Sequence, residues 1–332
     1  MVNLAIQSIG ENRSFKSTNF LPTAGPDSTL QAMIKPTHAV VIGRFMPPHN
    51  GHRYLIDFAT SLADRTTVFL CTLSHEPIPG DLRYSWMTEL FPKANIIHIT
   101  EEIPEANRNN PDSPNIWARS LKPYLPDGVD FLIASEDYGW DLAQALGARF
   151  VPVDPGRNHI GVSATLIRER PLEYWEHIPQ VVRPYFARII AVETPTEPAG
   201  VDSLMARLTG KLGGTRSAET NTGLAADAIL SQLAQSLNTL YLPLYHEHYQ
   251  TMIAAGEQSR NIHNFHTTLN EQDLVRAQRA QFQAMLRLCN RFLFVPAQLV
   301  GTVIPRERVY STITLRELDE LRMEKIVKSL VN

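Results

Sequence analysis

Two histidines and an arginine are the side chains of this sequence best suited to chemistry on an anion. His49 and His52 stand three positions apart in Gly43-Arg44-Phe45-Met46-Pro47-Pro48-His49-Asn50-Gly51-His52. The apolar run Ala39-Val40-Val41-Ile42 precedes this stretch, and Tyr54-Leu55-Ile56-Asp57-Phe58-Ala59 follows it with apolar residues at helical spacing. The pattern predicts a strand, a Gly/Pro loop and a helix. Gly43 removes a side chain where the strand ends, so backbone can approach a ligand closely. Gly51 and His52 open the helix, where free N–H groups and the positive dipole end favour anions. Their spacing lets both imidazoles face one point above that end. Arg168 closes a second stretch, Gly161-Val162-Ser163-Ala164-Thr165-Leu166-Ile167-Arg168. Ser163 or Thr165 can cap a short helix there, with Arg168 a turn or two beyond. A helix start beside a guanidinium can clamp phosphate.

The elements that must position these residues follow from the apolar pattern. Strands are expected at 66–71, 95–99, 130–134 and 149–153, after the one that ends at Gly43. Helices are expected at 82–91, 116–125 and 138–146, and a polar loop at 104–114. Strand alternating with helix predicts an α/β fold, a parallel sheet covered by helices on both faces. Ligands of such sheets bind beyond the carboxyl ends of the strands, which is where the first stretch lies.

Composition narrows the function classes. A chain of 332 residues, 43% hydrophobic, is long enough for two domains with cores of their own. A formal net charge of −3 provides no basic field for nucleic acid. The apolar runs are too short to span a membrane. The amino terminus lacks a signal-peptide core, so a cytoplasmic protein is expected. Cys71 and Cys289 stand far apart, fit no metal spacing and read as buried thiols of a reducing compartment. Residues 1–36 are polar and read as an amino-terminal extension.

The two stretches together resemble a known superfamily. Gly43 to His52 is similar to the HxGH signature of the nucleotidyltransferases, and Val162-Ser163-Ala164-Thr165-Leu166-Ile167-Arg168 to the signature that closes their ATP site, with Val162 where isoleucine is usual. The run Ile103-Pro104-Glu105-Ala106-Asn107-Arg108-Asn109, with Ile116-Trp117 after it, resembles the segment that holds nicotinamide mononucleotide (NMN) in archaeal-type adenylyltransferases, with extra residues between its halves. Val153-Asp154-Pro155-Gly156-Arg157 and Tyr174-Trp175-Glu176-His177-Ile178-Pro179 look like the NadR type, an NMN adenylyltransferase joined to a ribosylnicotinamide kinase. The resemblance implies a Rossmann-like nucleotidyltransferase domain over 37–186 that makes NAD and diphosphate from ATP and NMN. It implies that His49 and His52 hold ATP phosphates and that Arg168, with Ser163 and Thr165, takes the departing pyrophosphate. Gly43, Arg44 and Phe45 would form the loop against the nucleotide. Trp117 would stack on the pyridine ring, Asn107 would hold the same substrate, and Arg83 would contact phosphate. Mg²⁺ would travel on the ATP. Two other classes share part of the pattern. Another HxGH adenylyl- or cytidylyltransferase would keep the His and Arg residues without the 107–117 segment. A non-catalytic NAD-sensing or scaffold protein would have no need of His49, His52 and Arg168.

Residues 187–332 depart from that resemblance. A new strand is expected at 187–192, where NadR-type proteins continue into a P-loop. Here the sequence is Pro195-Thr196-Glu197-Pro198-Ala199-Gly200-Val201-Asp202. Val201 stands where the phosphate-binding lysine belongs and Asp202 where the Mg²⁺-binding hydroxyl belongs. Thr268-Leu269-Asn270-Glu271 reads as a capping box for a helix carrying Phe282, Met285, Leu286 and Cys289. The strand at 291–295 then ends in Pro296, Ala297 and Gln298, without the acid a kinase uses for Mg²⁺. The expected result is a degenerate P-loop-like α/β domain. Two more helices are expected. One carries Ala226, Leu230, Leu233, Leu237 and Leu240 at heptad spacing, a core seam or a surface for a homo-oligomer. The last carries Leu315, Leu318, Leu321 and Ile326. His246, His248, His263 and His266 have no cysteine beside them and read as a solvated loop.

Overall fold

The computed structural model describes residues 35–102, 110–156, 158–193, 231, 234–235, 238–245 and 269–314. Residues 1–34 of the amino-terminal extension, the 103–109 segment with Asn107, the degenerate P-loop stretch, the four histidines between 246 and 266 and the last expected helix lie outside the described residues.

The first sheet has five parallel strands in the order β3-β2-β1-β4-β5. They are β1 (His38–Gly43), β2 (Arg65–Cys71), β3 (Asn95–Ile99), β4 (Phe131–Ala134) and β5 (Arg149–Pro152). The connecting helices are α1 (Asn50–Leu62), α2 (Gly80–Leu90), α3 (Ser113–Leu121) and α4 (Tyr138–Leu146). Alternate strand residues enter two different cores, as the period of a strand requires. Val41, Val68, Leu70 and Ile133 pack with Leu55, Ile56 and Ala59 of α1. Val40, Phe69 and Leu132 pack with Ala118 and Leu121 of α3 and Leu142 and Ala143 of α4. Burial on both faces explains why these strands read as continuous apolar runs. The buried His38 secures the first strand: its Nδ1 lies 3.0 Å from Gly128 O and its Nε2 2.9 Å from Thr67 Oγ1. Helix α4 ends at Gly147, whose φ of 74° suits a residue without Cβ.

The helix expected at 116–125 is shifted and split. Pro114 stands in the first turn of α3, and Pro123 turns the continuation into a 3₁₀ turn, Lys122–Tyr124. Downstream come α5 (Ala164–Glu169), a 3₁₀ turn at Trp175–His177 and α6 (Arg183–Phe186).

A second parallel sheet has the order β7-β8-β6-β9: β6 (Arg188–Glu193), β7 (Leu240–Tyr241), β8 (Phe292–Pro296) and β9 (Val309–Thr314). Helix α7 (Glu271–Leu288) buries Phe282 and Leu286 against it. Two expectations are corrected here. The cap of α7 is Asn270, which accepts the N–H of Asp273 at 2.9 Å; the capping box placed that role on Thr268. Leu240 is the first residue of β7, not part of a heptad helix, because Asn238 takes a φ of 50° and turns the chain. One continuous core runs from Ile78, Trp86, Val162 and Ile167 through Trp175 and Ile178 to the β6 and β8 side chains. Arg287 of α7 forms a two-armed ion pair with Glu89 of α2.

Candidate functional site

The loop after β1 is built by two glycines, each making room for the ring two residues away from it. A Cβ on Gly43 would sit 3.0 Å from Cζ of Phe45, so the ring folded back over the strand end would have to give way to any side chain there. Phe45 itself has a φ of 46°, a left-handed conformation that a bulky residue adopts only when its surroundings fix it. A Cβ on Gly51 would sit 2.9 Å from Cε1 of His49. That closeness lets His49 act as the N-cap of α1: its Nδ1 accepts the Gly51 N–H at 3.1 Å. The helix therefore begins one residue earlier than Gly51, with His49 as its cap. An accepting Nδ1 leaves Nε2 as the protonated nitrogen of the neutral ring. His52 stacks on His49 with centroids 3.7 Å apart and meets Phe45 edge-on at 4.9 Å.

Helix α5 approaches from the other side. Ser163 caps it, its hydroxyl accepting the Leu166 N–H at 3.2 Å. Arg168 donates to Met46 O and, at 3.2 Å, to Thr165 Oγ1. The guanidinium thus ties α5 to the histidine loop. Upstream, Asp154 accepts the backbone N–H groups of Asn158, His159 and Ile160 and faces His159 Nδ1 at 3.1 Å. Desolvation pushes its carboxyl up, and those hydrogen bonds outweigh it, holding the group below the usual carboxylate range.

Two cavities meet at the carboxyl end of β1. The first, about 530 Å³, is lined by Gly43, Arg44, Phe45, His49, His52, Ser163, Thr165 and Arg168. These expected residues therefore converge on one space. The second, about 790 Å³, is lined by Trp117, Asn110, Ser113 and Asp141. Ile42, Gly43, Arg44, Glu136 and Tyr138 line both and form the wall between them. Glu136 and Tyr138 carried no motif; their only signal was their place just past β4, beside β1 in the sheet. Tyr138 donates its hydroxyl to Ile42 O at 3.2 Å. Trp117 also packs against the core under α3 and α4, so its ring serves both core and cavity.

Two expectations change. Arg83 lines neither cavity: its side chain is fully buried beneath the loop, paired with Glu76 and donating to Arg44 O at 2.7 Å. Its charge is matched by an internal carboxylate rather than directed at a ligand phosphate. Cys71 is only partly buried and lines the second cavity. Burial pushes its thiol up to about 12 against the opposing pull of Arg44, and Cys289 is pushed equally high by burial. Both are therefore protonated, weak nucleophiles at neutral pH.

No family model matches the chain. It is 31% identical over 192 residues to the trifunctional NAD biosynthesis/regulator protein NadR of Escherichia coli (strain K12), a match covering 52% of this chain and 46% of that protein. Over this stretch the chain is homologous to NadR. The protein of the same name from Salmonella typhimurium (strain LT2) is 30% identical over 186 residues, covering 51% and 45%. The chain thus spans about half the length of the curated relatives it matches. Among solved structures, NadR protein in complex with NAD and AMP-PNP superposes with a TM-score of 0.53 at 18% identity, over 90% of this chain and 78% of that one. NadR protein in complex with NR gives 0.52 at 20%, over 88% and 76%. Identity at that level shows a shared α/β fold and nothing finer.

Proposed function

We propose that the chain is an NMN adenylyltransferase, joining ATP and NMN into NAD and diphosphate. The observation that carries this reading is the shared wall. A cavity with two imidazoles and a guanidinium abuts one with a tryptophan face, and both open on Gly43 and Arg44. Such a pair suits two nucleotides whose phosphates must meet. Homology to a NAD biosynthesis protein supports the same choice.

On this reading the phosphate oxygen of NMN attacks the α-phosphorus of ATP, and the bond to the bridging oxygen breaks in line as diphosphate leaves. The attacking group is already an anion, so no side-chain nucleophile is required. The chain contributes position and charge. His52, stacked under His49, donates to the phosphates near the reacting centre. Arg168, tethered to Met46 O, stabilises charge on the leaving diphosphate. Trp117 offers its face to the cationic pyridine ring. Mg²⁺ fits as a companion of ATP: Asp154 is engaged by backbone N–H groups, and no cluster of metal-binding side chains occurs among the described residues. It would neutralise phosphate charge there.

The second half, in this proposal, does not transfer phosphoryl groups. Val201 cannot neutralise phosphate, Glu197 and Asp202 repel it, and the end of β8 offers Pro296, Ala297 and Gln298 in place of an acid.

The test is a panel of acceptors. Purified protein with Mg-ATP is given NMN, nicotinic acid mononucleotide, pantetheine phosphate or flavin mononucleotide, and dinucleotide and diphosphate are measured. NAD from NMN is expected. Product from pantetheine phosphate or the flavin alone would move the chain to another branch of the superfamily. No product from any acceptor would leave a binding protein.

A further inference from the structure

Glu76 lies between β2 and α2 with a side chain only 4% exposed. Three groups converge on it. Its Oε2 accepts the Leu73 N–H at 3.0 Å and pairs with Arg83, which is itself fully buried. Its Oε1 is buried without a hydrogen bond, and Arg44 Nε lies 3.6 Å from it. Arg83 in turn donates to the carbonyl oxygen of Arg44 at 2.7 Å. One buried carboxylate therefore holds Arg44 at both ends, the guanidinium directly and the backbone through Arg83. The peptide carrying that carbonyl leads into Phe45, the residue with a φ of 46°. Arg44 is 65% exposed in its side chain and lines both cavities. From the other side, Tyr185 of α6 donates to Pro77 O at 3.3 Å, bracing the loop that carries Glu76.

We propose that Glu76 is a positioning residue: it sets the Arg44 guanidinium across the seam of the two cavities and holds the left-handed turn at Phe45. The assignment rests on the adenylyl transfer proposed above. An amide at position 76 would still accept the Leu73 N–H, but only a carboxylate draws in two guanidinium groups. A long, mostly exposed arginine without that partner samples many rotamers. Its charge would then be absent from the seam in most molecules when the phosphates meet. Glu76 never touches substrate on this account; it acts through Arg44.

The test is a double-mutant cycle of Glu76→Gln and Arg44→Ala, read in kcat/KM for NAD formation and in ATP affinity by calorimetry, with Tm as a control. Glu76→Gln leaves Arg83 buried without its counter-ion, which destabilises. The charge-neutral pair Glu76→Gln with Arg83→Gln is therefore run beside it. Both are expected to lower kcat/KM about tenfold to a hundredfold, the scale of a misplaced reacting group. In the Arg44→Ala background the same changes should cost clearly less, since only the hold of Arg83 on the residue-44 carbonyl is left to lose, and Glu76→Asp should recover part of the loss. Equal losses in both backgrounds, or a fall in Tm with full activity, would overturn the assignment. A wild-type protein that binds ATP but makes no dinucleotide would overturn the reaction alone. The cycle in ATP affinity then decides for Glu76, dependence on Arg44 supporting it and independence refuting it. A wild-type protein that does not bind ATP overturns both.

Discussion

The two sheets end differently above the same kind of central strand. Strand β1 runs between β2 and β4, and β6 between β8 and β9, all parallel. Both are buried almost to the last residue: Val40 and Val41 are 0% exposed, as are Ile189 and Ile190. Strand β1 closes on Gly43, with two stacked imidazoles and a guanidinium from α5 beyond it. Strand β6 closes on Glu193, and the sequence after it has two prolines, two acids and a valine where a phosphate loop has glycines and lysine. Packing physics keeps the strands alike, because any polar change in the middle layer would expose the fold to loss. The loops carry no such constraint, so strand ends of like packing can be followed by very different side chains.

The sharpest way to break the comparison is His52→Ala. Removing one preorganised charge donor should lower turnover about a hundredfold to a thousandfold. Steady-state kinetics should show less change in the ATP Michaelis constant than in kcat. Near-normal turnover would mean that the imidazole pair is only a cap and its stacking partner. Trp117→Ala comes next. Loss of a stacked face should weaken NMN binding by about 1–3 kcal/mol while the ATP Michaelis constant stays put. Equal weakening of both substrates would assign Trp117 wholly to the core.

A smaller effect concerns His98, at the end of β3. Burial and, to a lesser degree, Arg83 hold its pKa below the ordinary value, against Asp81, which raises it. Its Nε2 lies 2.8 Å from Thr72 Oγ1 and its ring stacks on Tyr84. The folded state therefore binds this proton less readily than the unfolded chain. Stability present above about pH 6.5 should fall as pH drops toward the folded value, by no more than the about 1.4 kcal/mol per pH unit that one proton supplies. Denaturant midpoints of His98→Gln should show a flatter slope in that window; an unchanged slope would place the titration elsewhere. Smallest is Arg287→Ala. The Arg287–Glu89 pair is about half exposed on each side, so it should contribute roughly 0–1 kcal/mol. The continuous core, not this bridge, joins the two sheets. A large drop in Tm, or two separate unfolding transitions, would contradict that.

How much of this was legible in the sequence depends on which physics fixed each part. Strands β1, β2 and β4 were legible because burial on both faces leaves an apolar run, and the less buried edge strands β3 and β5 because they continue the alternation of strand with helix. Helix α4 matched its expected span because Leu146 is followed by a glycine that can take a left-handed φ. The cap of α7 was misplaced because Thr268 with Glu271 and Asn270 with Asp273 are equally good local patterns, and backbone geometry chose between them. His49 was read from the sequence as a residue for phosphate and not as a helix cap, since the cap depends on the empty space at Gly51. Arg83 was misdirected for a different reason. Its partner Glu76 is buried only once the loop folds, and a sequence shows two charges without showing which one water can reach. Glu136 and Tyr138 could be placed at a strand end but not given a role, because the second cavity exists only when α3 and α4 pack beside β1.

One experiment bears on both sheets at once. A single preparation of the protein is given Mg-ATP with either NMN or nicotinamide riboside, and NAD, NMN and diphosphate are followed in time. The account predicts NAD with equal diphosphate from NMN, and nothing above a no-enzyme control from the riboside. Absence of NAD in the first reaction would contradict the function proposed for the β1 site, and NMN or NAD appearing in the second would contradict the loss of chemistry proposed at β6.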